Sequence, residues 1–105
     1  DLERTLIDIA VRPFYSGGVT QVLEAFVNAR EFLDSDKLFD YYSRMNYSYP
    51  YHQVIGFYLD KAGYDEKEYN TFLQFENKEF KFYLTYNMLH KEFSEKWSIY
   101  YPKGL

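Results

Sequence analysis

The sequence predicts an α+β domain, mainly helical, with four or five helices followed by a C-terminal antiparallel β-hairpin. Three observations carry this reading. Up to about residue 75 the apolar residues recur at three- and four-residue steps, the period of a helix face. Breaks built from Gly, Pro, Ser and Asn cut that stretch into short segments. After Asn77 the period falls to two and aromatic residues dominate, which marks strands. The chain has 105 residues and a mass of 12.8 kDa, too little for two independent cores, so residues 1–105 form a single domain. Leu, Ile, Val and Phe together supply 29 of the 105 residues, well above the level of about 20% below which disorder is expected.

The first helix opens at once. Leu2, Leu6 and Ile9 or Ala10 share one face, Glu3 suits the positive end of the helix, and Arg4 and Asp8 stand at a spacing that allows an ion pair. Because residue 1 is Asp and the helix is already under way, we expect the chain to be the C-terminal piece of a longer protein. Pro13 stops this helix, since the residue before a proline is driven out of the α region. Ser16-Gly17-Gly18 is a turn. Val19 to Leu33 is the most amphipathic segment, with Val19, Val22, Leu23, Phe26, Val27 and Leu33 on its apolar side. Ser35 is the expected N-cap of a third helix running to about Met45. Pro50 suits the first turn of a fourth, ending at Ala62 with Gly63 beyond it. Gly56 in its interior costs about 1 kcal/mol against Ala, so another group is expected to approach closely there. Asp65 and Glu68 have capping-box spacing for a short fifth helix to about Phe75. Glu79–Tyr86 and Lys96–Tyr101 then alternate as strands, expected to pair as a hairpin across Asn87–Glu95.

Composition excludes several kinds of chemistry. The chain has no cysteine, hence no disulfide framework, thiolate metal site or cysteine nucleophile. No apolar run approaches the roughly 18 residues of a membrane span, and no signal peptide opens the chain. These features suit a cytoplasmic protein. The net charge is −4, a poor balance for gripping phosphate backbones. Only residues 76–105, with five Lys against four Glu, lean the other way. His52 and His90 lack the spacing of a metal site, Gly17-Gly18 lacks the Lys-Ser/Thr of a phosphate loop, and no pair of carboxylates is singled out. We expect no enzymatic activity, no cofactor and no metal.

Three groups remain as candidates for recognition. Arg4, Asp8 and Arg12 follow at four-residue steps, either as a polar ridge that meets a partner or, on the plainer account, as an ion-pair ladder. The tyrosines at 41, 42, 47, 49, 51 and 58 read first as core and then as a partner-binding or base-stacking patch. Lys78, Lys81, Lys91, Lys96 and Lys103 stand with Phe82, Tyr83, Tyr86, Trp97 and Tyr100 on the expected hairpin and its loop. They read as a solvated face or as a surface for DNA or a protein.

The opening residues carry a family resemblance. Glu3-Arg4-Thr5-Leu6-Ile7-Asp8, then Arg12-Pro13 and Ser16-Gly17-Gly18 leading into Val22-Leu23-Glu24-Ala25, resemble the AbiEi family. These are bacterial antitoxins and transcriptional regulators of type IV toxin–antitoxin (abortive infection) systems. The helix with Gly56 and the ending Trp97–Lys103 are similar as well. The resemblance implies a C-terminal antitoxin and regulatory domain lacking the family's N-terminal winged helix-turn-helix. It implies a nucleotidyltransferase-like toxin as functional partner, without a necessary stable complex. DNA contact would belong to the lacking domain. Arg4, Asp8, Arg12, Lys81 and Lys96 are then the candidate partner-binding residues, with self-association also open. The competing expectation is a plain interaction or dimerisation domain with no antitoxin role.

Overall fold

A computed structural model describes residues 1–73 and 80–105. Five helices come first: α1 (Leu2–Val11), α2 (Val19–Asn28), α3 (Ser35–Ser43), α4 (Tyr51–Lys61) and α5 (Glu66–Leu73). A small sheet of β1 (Phe82–Tyr83), β2 (Lys91–Ser94) and β3 (Ile99–Pro102) follows. The α+β, mainly helical class is therefore that of the molecule.

Helix α1 starts on the Asp1 carboxylate, which accepts the Arg4 N–H at 3.1 Å. It buries Leu6, Ile7 and Ala10 and ends before Arg12-Pro13. Among the described residues, Arg4–Asp8 does not close as an ion pair. Glu3 does more than favour the helix end: it is buried, and its Oε2 accepts the Asp34 N–H at 3.0 Å. A 3-10 turn over Pro13–Ser16 and two glycines with positive φ lead into α2. That helix stops at Asn28, five residues short of the expected Leu33. Ala29 to Leu33 turns away through shorter-range bonds, and the Arg30 guanidinium leaves the helix face to donate to the Ala62 carbonyl at 3.2 Å.

The cap of α3 is Asp34, not Ser35. Asp34 Oδ1 accepts the N–H groups of Asp36 and Lys37, both at 3.1 Å. With Glu3 holding its own N–H, Asp34 is fixed where a capping residue must stand. Helix α3 closes at Ser43, two residues before the expected Met45.

Helix α4 lies at the centre, with every residue from Gln53 to Leu59 buried. A helix apolar on all sides belongs inside a core. Gly63, at φ 91°, ends it in the left-handed conformation that glycine adopts without strain. Helix α5 buries Tyr69 and Phe72; its expected end at Phe75 and the start of the strand at Glu79 lie outside the described residues.

The expected hairpin is corrected in its pairing. The sheet order is β1-β3-β2, with β1 parallel to β3 and β2 antiparallel to β3. Residues 80–86 and 96–101 thus do not form the hairpin; the antiparallel pair is β2 with β3. The segment assigned to a loop contributes β2, whose KEFS carries one apolar residue and shows no alternation. Its strand character comes from backbone pairing along the neighbouring edge. Trp97 is likewise not on a strand but in the connection between β2 and β3, where it is fully buried. Its backbone carbonyl accepts from Gln53 at 2.6 Å and its indole N–H donates to Asp60 at 2.9 Å. That one side chain seats the sheet on α4.

Candidate partner-binding groove

The C-terminal end of α1 and the 3-10 turn stand opposite the segment that follows β1. Between them, across the start of α4, lies an open groove of about 740 Å³, a size typical of ligand clefts. Pro13 ends α1 and swings the next two side chains outward. Phe14 and Tyr15 are 83% and 86% exposed and meet edge to face at 6.0 Å. Tyr49 and Tyr51 enter from the approach to α4, their rings 5.0 Å apart. Tyr83 and Tyr86 come from the opposite wall, with Tyr86 86% exposed. Tyr83 stacks on Tyr100 at 5.0 Å, and this pair stiffens its wall.

The groove's electrostatics are one-sided. Among the described residues, Arg12 and Lys91 are the charged side chains of its lining, and no carboxylate joins them. Burial pushes the Tyr51 hydroxyl up, the phenols of Tyr49, Tyr86 and Tyr47 add to this, and Arg12 opposes it. The surface is aromatic, carries phenol hydroxyls, and is framed by two cations on a net acidic protein. Among the described residues, no cluster of His, Asp and Glu is placed to hold a metal.

The sequence candidates separate. Arg12 lines the groove and also borders a shallower hollow of about 460 Å³ shared with Asp8, Ile9, Tyr15 and Ser16. Asp8 and Arg12 are thus brought to one place. Arg4 is exposed near the opposite end of α1. Lys81 lies with its ammonium 5.0 Å above the Phe93 ring. Lys96 is exposed but bends back onto the helices, 3.0 Å from the Asp60 carboxylate and 2.6 Å from the Tyr69 hydroxyl. Burial lowers its pKa, but the bonds to Tyr69 and Asp60 prevail and leave it raised. The tyrosine cluster divides: Tyr42 and Tyr58 fill core, while Tyr49 and Tyr51 line the groove. His52 packs 6.2 Å from the Tyr42 ring.

Sequence reasoning missed Phe14 and Tyr15, whereas Lys91 was among the lysines of the expected basic aromatic face. The available signal was two adjacent aromatics directly after a helix-ending proline, where no helical or strand face can bury both. What the sequence did not show is that Lys91 opens a strand, because the local pattern there does not alternate. No family model matches the chain, and neither a curated protein nor a solved structure matches it.

Proposed function

We propose that this chain is a non-catalytic recognition domain: the C-terminal antitoxin and regulatory domain of an AbiEi-like protein, acting in the cytoplasm. In this reading it opposes a nucleotidyltransferase-like toxin, or supports autoregulation, through surface contact. The observation that carries the recognition role is the open aromatic groove framed by Arg12 and Lys91. Exposed aromatic residues with an Arg nearby are the composition of binding hot spots. The family setting rests on the opening motif, and part of that motif, Arg12-Pro13, builds one wall of the groove. A second reading, a generic interaction or dimerisation domain, draws on the exposure of Phe14, Tyr15, Tyr86 and Leu89.

Growth tests the two. The gene neighbouring the parent gene is induced with and without this chain. We expect arrest by the neighbour, rescue by the chain, and loss of rescue in the folded Arg12→Glu variant. A harmless neighbour sinks the antitoxin reading and leaves the interaction domain.

A further inference from the structure

One edge of the sheet opens into the groove. The N–H groups of Phe82 and Leu84 point to β3, donating to the carbonyls of Ser98 at 3.0 Å and Tyr100 at 2.9 Å. Backbone groups alternate in direction along a strand, so the N–H and C=O of the intervening Tyr83 face away from the sheet. Such groups require a partner. Here one side chain serves both: the Tyr49 hydroxyl accepts the Tyr83 N–H at 3.0 Å and donates to the Tyr83 carbonyl at 3.0 Å. The phenol stands where the backbone of a further strand would run. Both tyrosines are partly exposed and line the groove with Arg12 and Lys91.

We propose that the groove takes an extended acidic peptide segment of another protein, which pairs with the Tyr83 backbone in place of the Tyr49 hydroxyl. This rests on the partner-recognition reading above. A sheet edge with no neighbouring strand among the described residues, beside side-chain pockets, is the geometry of strand addition, in which main-chain bonds give affinity and alternate side chains give selectivity. Charge complementarity selects the sign, because among the described residues the lining offers two cations and no carboxylate. Side chains of an added strand alternate between faces, so acidic residues alternating with apolar ones fit best. Two cations on a chain of net charge −4 are too few to hold a phosphate backbone. Among the described residues, a second copy offers its acidic clusters at the heads of α3 and α5, not as extended chain.

The test is fluorescence anisotropy with labelled nine-residue peptides that alternate Asp or Glu with Leu, Val or Phe. The same peptides with Lys for the acids, and a labelled thymidine nonamer, are run beside them. Acidic peptides should bind at least about tenfold tighter than the Lys set, and Arg12→Glu with Lys91→Glu should reverse that order. Tyr49→Phe removes the competing hydroxyl and should tighten acidic binding about threefold or more. Should that variant fold poorly, amide exchange in the wild type decides: bound acidic peptide should slow Tyr83 exchange about tenfold.

Equal binding of the Lys set overturns the acidic assignment. Unchanged or weaker binding in folded Tyr49→Phe overturns strand pairing. Tighter binding of the thymidine nonamer assigns the groove to nucleic acid, and a silent peptide panel with concentration-dependent dimerisation assigns it to a second copy; either overturns the proposal. Growth rescue that needs Arg12 alongside a silent panel removes the peptide inference alone, whereas failure of both removes the recognition reading too.

Discussion

Gly56 shows how a single atom sets the core. A glycine inside a helix ordinarily costs about 1 kcal/mol against alanine, and replacing it should then stabilise. Here a Cβ would stand 2.2 Å from a Trp97 ring carbon, with two more ring atoms inside 3.0 Å. The indole cannot retreat easily, since its N–H is held by Asp60 and its backbone carbonyl by Gln53. Gly56→Ala should therefore destabilise the fold by about 2–3 kcal/mol, the scale of overpacking in a filled core, as read from urea unfolding. A neutral or stabilising result would mean that Trp97 does not sit on α4. The close approach was legible from the sequence as a glycine where a helix should not want one. Its partner was not, because Trp97 lies 41 residues away on what reads locally as a strand.

Among elements, α1 and α3 are joined through their starts. Glu3 of α1 accepts the Asp34 N–H, Asp34 caps α3, and Lys37 of α3 returns to Asp1 at 3.0 Å. Two acidic residues near helix starts also complement the helix dipoles. Asp34→Ala should cost about 1 kcal/mol, while Ser35→Ala should change stability by only a few tenths on the same scale. Chemical denaturation of the two variants separates them. The reverse order would restore Ser35 as the cap. From sequence alone Asp34 and Ser35 are equally good capping residues, and what decides between them is a carboxylate 31 positions earlier. The 3-10 turn behaves in the opposite way. Pro13, Gly17 and Gly18 impose their backbone geometry locally, and the expected break lies where those residues stand.

At the scale of the whole molecule, the fold depends on tyrosines kept neutral. Burial is the main reason that the Tyr64 hydroxyl is pushed up to about 12, with Glu68 adding to it and Arg30 opposing it. That hydroxyl donates to the Phe26 carbonyl at 2.7 Å and so ties the end of α4 to α2. Burial also pushes Tyr58 up strongly. An unfolded tyrosine ionises near 10, so the folded state holds these protons more tightly. Their contribution is complete below about pH 10 and is lost as the pH climbs through about 12; the raised Lys96 acts in the same direction. Urea midpoints should hold steady at neutral pH and fall across that window. Among the described residues the Tyr58 hydroxyl has no hydrogen-bond partner, and a buried unpaired hydroxyl is a net cost. Tyr58→Phe should raise stability by about 1 kcal/mol at neutral pH and soften the alkaline fall. A variant as alkali-sensitive as the wild type would place the titrating group elsewhere.

The sequence by itself determined the helical period of the first two thirds, the breaks at Pro13, Gly17, Gly18 and Gly63, the aromatic strand-rich ending and the α+β class. These follow from local dihedral preferences and from which face of a segment is apolar, and both are written in neighbouring residues. Only the tertiary structure decided that β1 runs parallel to β3, that the poorly patterned Lys91–Ser94 becomes a strand, and that Lys96 faces Asp60 while Arg12 faces the groove. A sheet's pairing is a choice among distant backbones, and its local pattern is satisfied equally by either direction. The groove belongs to the same class. Phe14, Tyr15, Tyr49, Tyr86 and Lys91 meet because α1, α4 and the sheet pack on one core, and no spacing along the chain encodes that meeting.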